Sequence, residues 1–172
     1  MNTKVKLHSV NSTAFSLHEL ASELKKDGYK PDLLISKTSI RIDADYKQHF
    51  ILVKLKIRYV YKADETEAEV MSHTSELVFD VFEGFKETFV KKGNGFAVSK
   101  ATMQGLIRFF VVTAIGASRG MLAVKAAGTL FENHPYKFMN IEKFMAFTER
   151  TNPHIKIQKA TKAVGKKLVK KK

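Results

Sequence analysis

A chain of 172 residues, 44% of them apolar, has room for one domain with a real core. It contains no cysteine, which excludes disulfides, thiolate metal sites and cysteine nucleophiles. The formal net charge is +13; residues 151–172 hold eight lysines and no acid, which leaves +5 on residues 1–150.

The N-terminus, MNTKVKLHSVNSTAF, has no continuous apolar run of the signal-peptide kind. The longest apolar stretch, Phe109 to Ala117, lies between Arg108 and Arg119 and falls short of the roughly 20 residues a membrane span needs. The expectation is a soluble, cytoplasmic protein without membrane insertion.

Residues 16–27, SLHELASELKKD, read as a short amphipathic helix. Ser16 and Glu19 have capping-box spacing, Leu17, Leu20, Ala21 and Leu24 share a face, and Gly28 is placed as the stop. Strands follow. LLISKTSIRID (33–43) is rich in β-branched residues. In HFILVKLKIRYVYK (49–62), Val53, Leu55, Ile57, Tyr59 and Tyr61 alternate with mostly basic residues, the period of a strand with one wet face. EAEVMSHTSELVFDVF (67–82) is a third strand, and FKETFV (85–90), after Gly84, is a candidate fourth. Short connections make the strands an antiparallel meander.

The period then changes. Residues 99–127 form a long helix capped by Ser99, apolar almost all round from Leu106 to Ile115, which predicts cover on more than one side. Its middle is small: Ala114, Gly116, Ala117, Ser118 and Gly120. Interior glycines cost about 1 kcal/mol each against alanine, so close packing is the expected reason for them. Gly128 ends the helix, residues 129–139 cross over, and Asn140 caps a last helix over 141–150. The class is α+β: an N-terminal extension with a short helix (1–31), a sheet-and-helix domain (32–150) and a lysine-rich tail (151–172) too polar to fold alone.

The catalytic repertoire is thin. The six histidines show no HxH or HxxxH spacing, so no metal site is expected. There is no GxxxxGK[ST] or GxSxG motif, and GNG at 93–95 is too short for a phosphate loop. The chain reads as a non-enzyme that takes no cofactor. Met and aromatic residues instead gather around the crossing, a composition suited to surfaces that accept varied partners.

Over about residues 35–148 the chain resembles the SecB-like chaperones. The element order matches, as do ELVFDV (76–81), IGASRGMLAVKAAG (115–128) with Arg119 and Gly128, and NIEKFM (140–145), which is similar to the Asn-Phe-x-x-Leu-Phe opening of that family's last helix. The family's proline before that Asn is absent, and Phe138 and Met139 stand there. The resemblance implies an ATP-independent holdase assembled as a dimer of dimers. Its clients are unfolded segments held in an apolar groove. The client-facing residues would be Phe79, Met121, Leu130, Phe131, Tyr136, Phe138, Phe144 and Met145, with Ile115, Gly116, Arg119 and Gly120 at the oligomer interface. Family members of the export type carry acidic sheet residues that dock on the SecA motor. Lys54, Lys56 and Arg58 here argue against SecA and for a dedicated client, such as the antitoxin of a toxin–antitoxin–chaperone system. The alternatives are a general export chaperone and a nucleic-acid-binding module that uses the basic tail and this strand face.

Overall fold

The computed structural model describes residues 3–19, 21, 24, 28–63, 66–133, 140–152 and 155–157. Four long strands form one antiparallel sheet: β1 (Lys4–Leu17), β2 (Leu34–Asp45), β3 (Phe50–Ala63) and β4 (Thr66–Glu83), in the order β1-β4-β3-β2. The alternation of β3 sets its faces. Ile51, Val53, Leu55, Ile57 and Tyr59 are buried, while Lys54, Lys56 and Arg58 point to solvent. Leu77, Phe79 and Val81 of β4 and Ile40 and Ile42 of β2 join the same buried face.

The fourth strand differs from expectation. Residues 85–90 are not in the main sheet: Phe85–Thr88 is a one-turn helix (α1), and Val90–Lys92 is β5 of a second, small sheet. Gly84, at φ +72°, turns the chain out of β4 there. The place of the fourth strand is taken by β1, inside the segment read as an extension. Ser16 and Leu17, read as the start of a helix, pair with Ser72 and Met71 at the end of β1. The weak alternation of KVKLHSVNSTAF hid this strand. Its irregular register, with shifts at Lys4/Val5, Leu7/Ser9 and Ser12/Ala14, breaks the period that a sequence reading relies on. Of the rest of the expected 16–27 helix, His18 and Glu19 are not helical, Ala21 and Leu24 are, and the other residues lie outside the described ones, apart from the exposed Gly28 stop.

The long helix, α2 (Lys100–Ala126), begins under a Ser99 cap whose hydroxyl accepts from the Thr102 N–H at 3.0 Å. It includes one π-type turn at Met103–Ile107 and ends before Gly128 at φ +75°. It crosses the inner face of β3 and β4. Ser118 and Ser75 hydrogen-bond across that interface, and the Ser118 hydroxyl also donates to the Ala114 carbonyl. The last helix, α3 (Ile141–Thr151), starts at Asn140, whose side chain accepts from the Glu142 and Lys143 N–H groups. Beyond it, β6 (Gly95–Val98) pairs with β5 antiparallel and with β7 (Ile155–Ile157) parallel. The buried Asn152 accepts from the Ile42 N–H on the outer edge of β2, so the C-terminal segment seals one edge of the main sheet.

Candidate functional site: an apolar surface beside the long helix

The helix α2 has two unlike apolar faces. Met103, Ile107, Phe110, Val111, Ala114, Ile115, Ser118, Leu122 and Ala126 are buried against the sheet at helical spacing. The other face is also apolar but meets water. Gly105, Phe109, Val112, Gly116, Gly120 and Val124 follow one another at three- and four-residue steps and are all exposed. Phe109 is 50% exposed, Val112 41% and Val124 78%. By length and composition α2 could cross a membrane; here one side of it rests on the sheet. At Gly105, Gly116 and Gly120 an added Cβ would meet no atom within 4 Å, so the surface there is flat and open.

Strand β1 extends this surface. Leu7, Val10 and Leu17 stand opposite the buried Phe79, Leu77 and Met71, which places them on the helix-bearing face of the sheet. They stay 38–44% exposed because α2 lies mainly over β3 and β4 and covers the edge strand only in part, as where Lys125 lies over Phe15. An open pocket of about 540 Å³ lies at the start of α2, lined by Thr3, Val5 and Thr88 and by Gly105, Leu106 and Phe109 of the helix. The Thr3 and Thr88 hydroxyls bond each other at 2.8 Å and close its end.

The residues expected to face a client sort differently. Phe79 is buried, with its ring 4.4 Å from that of Phe110 and 6.1 Å from that of Phe109. Phe131 is buried between Tyr29 and Tyr59. Phe144 and Met145 are buried where α3 packs beside the start of α2, a contact braced by an Arg108–Glu142 ion pair at 2.9 Å. These four are core in this chain: Phe79 under α2, Phe131 between two tyrosines, and Phe144 and Met145 where α3 meets α2. Met121 and Leu130 are half-buried. Tyr136 and Phe138 lie outside the described residues. Of the expected interface residues, Ile115 faces the sheet and is buried, while Gly116, Arg119 and Gly120 lie on the open face. Among the residues that do present apolar surface, Phe109 and Val112 carried one signal in the sequence, a helix apolar all round over a sheet too small to cover it, whereas Leu7, Val10 and Leu17 carried none.

Under the other half of α2 lies a buried titratable group. His73 of β4 is 1% exposed, and among the described residues neither ring nitrogen has a well-formed hydrogen bond, the nearest partner being the backbone of Ala14. Burial, reinforced by the Lys125 ammonium, holds its imidazole below the ordinary value. Lys125 itself sits 5.5 Å from the Phe15 ring. Among the described residues no group of His, Asp or Glu is placed to hold a metal ion. The arrangement is suited to burying apolar groups.

No protein-family model and no curated protein matches this chain. Among solved structures, the SecB-like chaperone of Mycobacterium tuberculosis, in complex with a peptide from the HigA1 antitoxin, aligns over 78% of this chain and 90% of that one, at 10% identity and a TM-score of 0.46. A protein of unknown function from Streptococcus agalactiae aligns over 81% of this chain and 99% of that one, at 10% identity and a TM-score of 0.28. Likeness at that level decides nothing about function, which is read below from the geometry of the chain itself.

Proposed function

We propose that this protein is an ATP-independent holdase chaperone that binds unfolded or aggregation-prone polypeptide segments, for a dedicated client such as an antitoxin. The observation that carries this reading is the set of exposed apolar side chains on two elements that contact each other, Phe109 and Val112 of α2 and Leu7, Val10 and Leu17 of β1. Exposed apolar side chains gathered in this way mark an interaction site. Each aliphatic or aromatic side chain that finishes its burial there contributes on the order of 1 kcal/mol. Several such contacts suffice to hold a segment without any bond being made or broken.

The two ends of the surface suit different occupants. Around Gly116 and Gly120, in GASRG, the helix is flat, which permits close approach of a second helix; self-association of the chain belongs there, with Arg119 at its rim. Around Leu106 and Phe109 the open pocket of about 540 Å³ has room for large side chains, and client segments belong there. Met121 and Leu130, half-buried near the end of α2, extend the apolar surface toward the crossing.

The test is light scattering coupled to size exclusion, with the protein alone and after mixing with a denatured, slow-folding client, with and without ATP. An oligomer that captures the client equally in both conditions is the expected result. A monomer that captures nothing would sink the proposal.

A further inference from the structure

The opposite side of the sheet carries a second surface, unrelated to the apolar one. Lys54, Lys56 and Arg58 follow one another along the solvent face of β3, all exposed. On β2 the residues directly opposite are Arg41 facing Lys54, Ser39 facing Lys56 and Lys37 facing Arg58. Like charges directly opposite each other destabilise a strand pair, and here two such pairs flank the Lys56–Ser39 pair. Acids relieve part of this repulsion. Asp43 bonds Arg41 at 2.7 Å, Glu69 lies 3.8 Å from Arg58, and Glu67 holds Lys37. Lys54 and Lys56, at the centre, make no ion pair among the described residues, although Glu76 of β4 stands directly opposite Lys54; Lys56 lies between Ser39 and Thr74.

The shape of this strip limits what it fits. It is two strands wide, about 5 Å between strand axes. On the β4 side it is bounded by Glu67, Glu69 and Glu76, which share its face. A nucleic-acid duplex is wider than the strip and would bring its phosphates onto those carboxylates. None of the cation-bearing positions is interleaved with an aromatic on which single-stranded bases could stack. An extended polypeptide repeats its same-side residues every 6.6–6.8 Å or so, the same repeat as Lys54, Lys56 and Arg58.

We propose that the solvent face of β2 and β3 is a docking surface for an extended acidic polypeptide segment with Asp or Glu at alternate positions, which lies along Lys54, Lys56 and Arg58. It is separate from the apolar surface on the other side of the sheet, so a partner can dock here while a client is held there.

The experiment is fluorescence anisotropy on the full chain with two labelled peptides of equal composition, one alternating Glu and Thr, the other with its Glu and Thr in separate blocks. The expected result is tighter binding of the alternating peptide by several-fold, weakened about tenfold in the double variant Lys54→Gln/Lys56→Gln and weakened further by raising salt from about 50 to 300 mM. Both side chains are exposed and neither makes an ion pair among the described residues, so the variant should melt close to the parent; the single variant Lys56→Gln is the fallback, with a smaller loss. Three results would overturn the proposal. The variants could leave binding unchanged, which places it elsewhere, such as in the lysine-rich residues 158–172. The blocked peptide could bind as well as the alternating one. A single-stranded oligonucleotide of equal charge could bind more tightly and lose that affinity in the same variants, which makes the surface a phosphate reader. Capture of denatured client, measured in parallel, should be unaffected by these variants, so the two proposals fail separately.

Discussion

Two adjacent phenylalanines on α2 should behave in opposite ways when truncated. Phe110 is fully buried with its ring 4.4 Å from Phe79, whereas Phe109 is half-exposed and touches Phe79 edge-on at 6.1 Å. Phe110→Ala removes a core side chain and leaves a cavity, a cost of about 3–5 kcal/mol. Phe109→Ala forfeits roughly half of the 1.5–3 kcal/mol that a fully buried phenylalanine contributes, or about 1 kcal/mol. For a domain of this size 1 kcal/mol moves the melting midpoint by roughly 2–4 °C, so Phe109→Ala should cost a few degrees and Phe110→Ala on the order of 10 °C or more. Client capture should follow the reverse order. Losing the exposed half of the Phe109 ring from a client contact removes about 1 kcal/mol of binding, roughly a fivefold loss of affinity. Melting followed by circular dichroism and suppression of client aggregation followed by light scattering, both at one protein concentration, give the two readouts. If both variants lose the same stability, Phe109 is core. If Phe109→Ala suppresses aggregation as well as the parent, the apolar surface is not where clients bind.

The remaining predictions concern pH, packing and the sealed edge. The His73 imidazole, held below its ordinary 6.5 chiefly by burial, takes no proton in either state at pH 7.5. As pH falls through 6.5 the unfolded chain gains a proton that the folded chain refuses, so stability declines below that point. Urea midpoints at pH 7.5 and 5.5 should therefore diverge in the parent and draw together in His73→Leu; an equal gap in both would refute the assignment. Gly116→Leu and Gly120→Leu meet open space within the chain and should leave its secondary structure intact while lowering the mass of the assembly, read by light scattering; an unchanged mass places the interface elsewhere. Asn152→Ala strips the Ile42 N–H of its buried acceptor and should cost about 1–3 kcal/mol in urea unfolding, and a neutral outcome would show that β2 needs no seal.

Much of the local structure could be read residue by residue. The alternation of β3 predicted both its buried and its basic faces, and Ser99, Asn140 and Gly128 mark the helix ends where they were expected. These are short-range properties: a cap, a period or a positive φ depends on neighbours a few residues away. The fourth strand was misplaced for the converse reason. KVKLHSVNSTAF is too polar and too irregular to declare itself, and it is a strand because β4 offers it a partner more than fifty residues away. FKETFV has strand-like composition but follows Gly84 at φ +72°, and only its last residue, Val90, is in a strand, that of the second sheet.

The site divides along the same line. Composition alone established that the chain has no cysteine chemistry, carries excess positive charge, and contains a helix more apolar than a single small sheet can cover. Which of its aromatics are core and which meet water was a tertiary decision. Phe109 and Phe110 are identical and adjacent, and the 100° step between them puts one on the sheet and the other at the open pocket. Phe131 and Phe144, plausible on a surface by sequence, are buried because the crossing and α3 fold back onto the core. Burial is set by what arrives from elsewhere in the chain, and a linear pattern specifies the face a residue takes without specifying what will cover it.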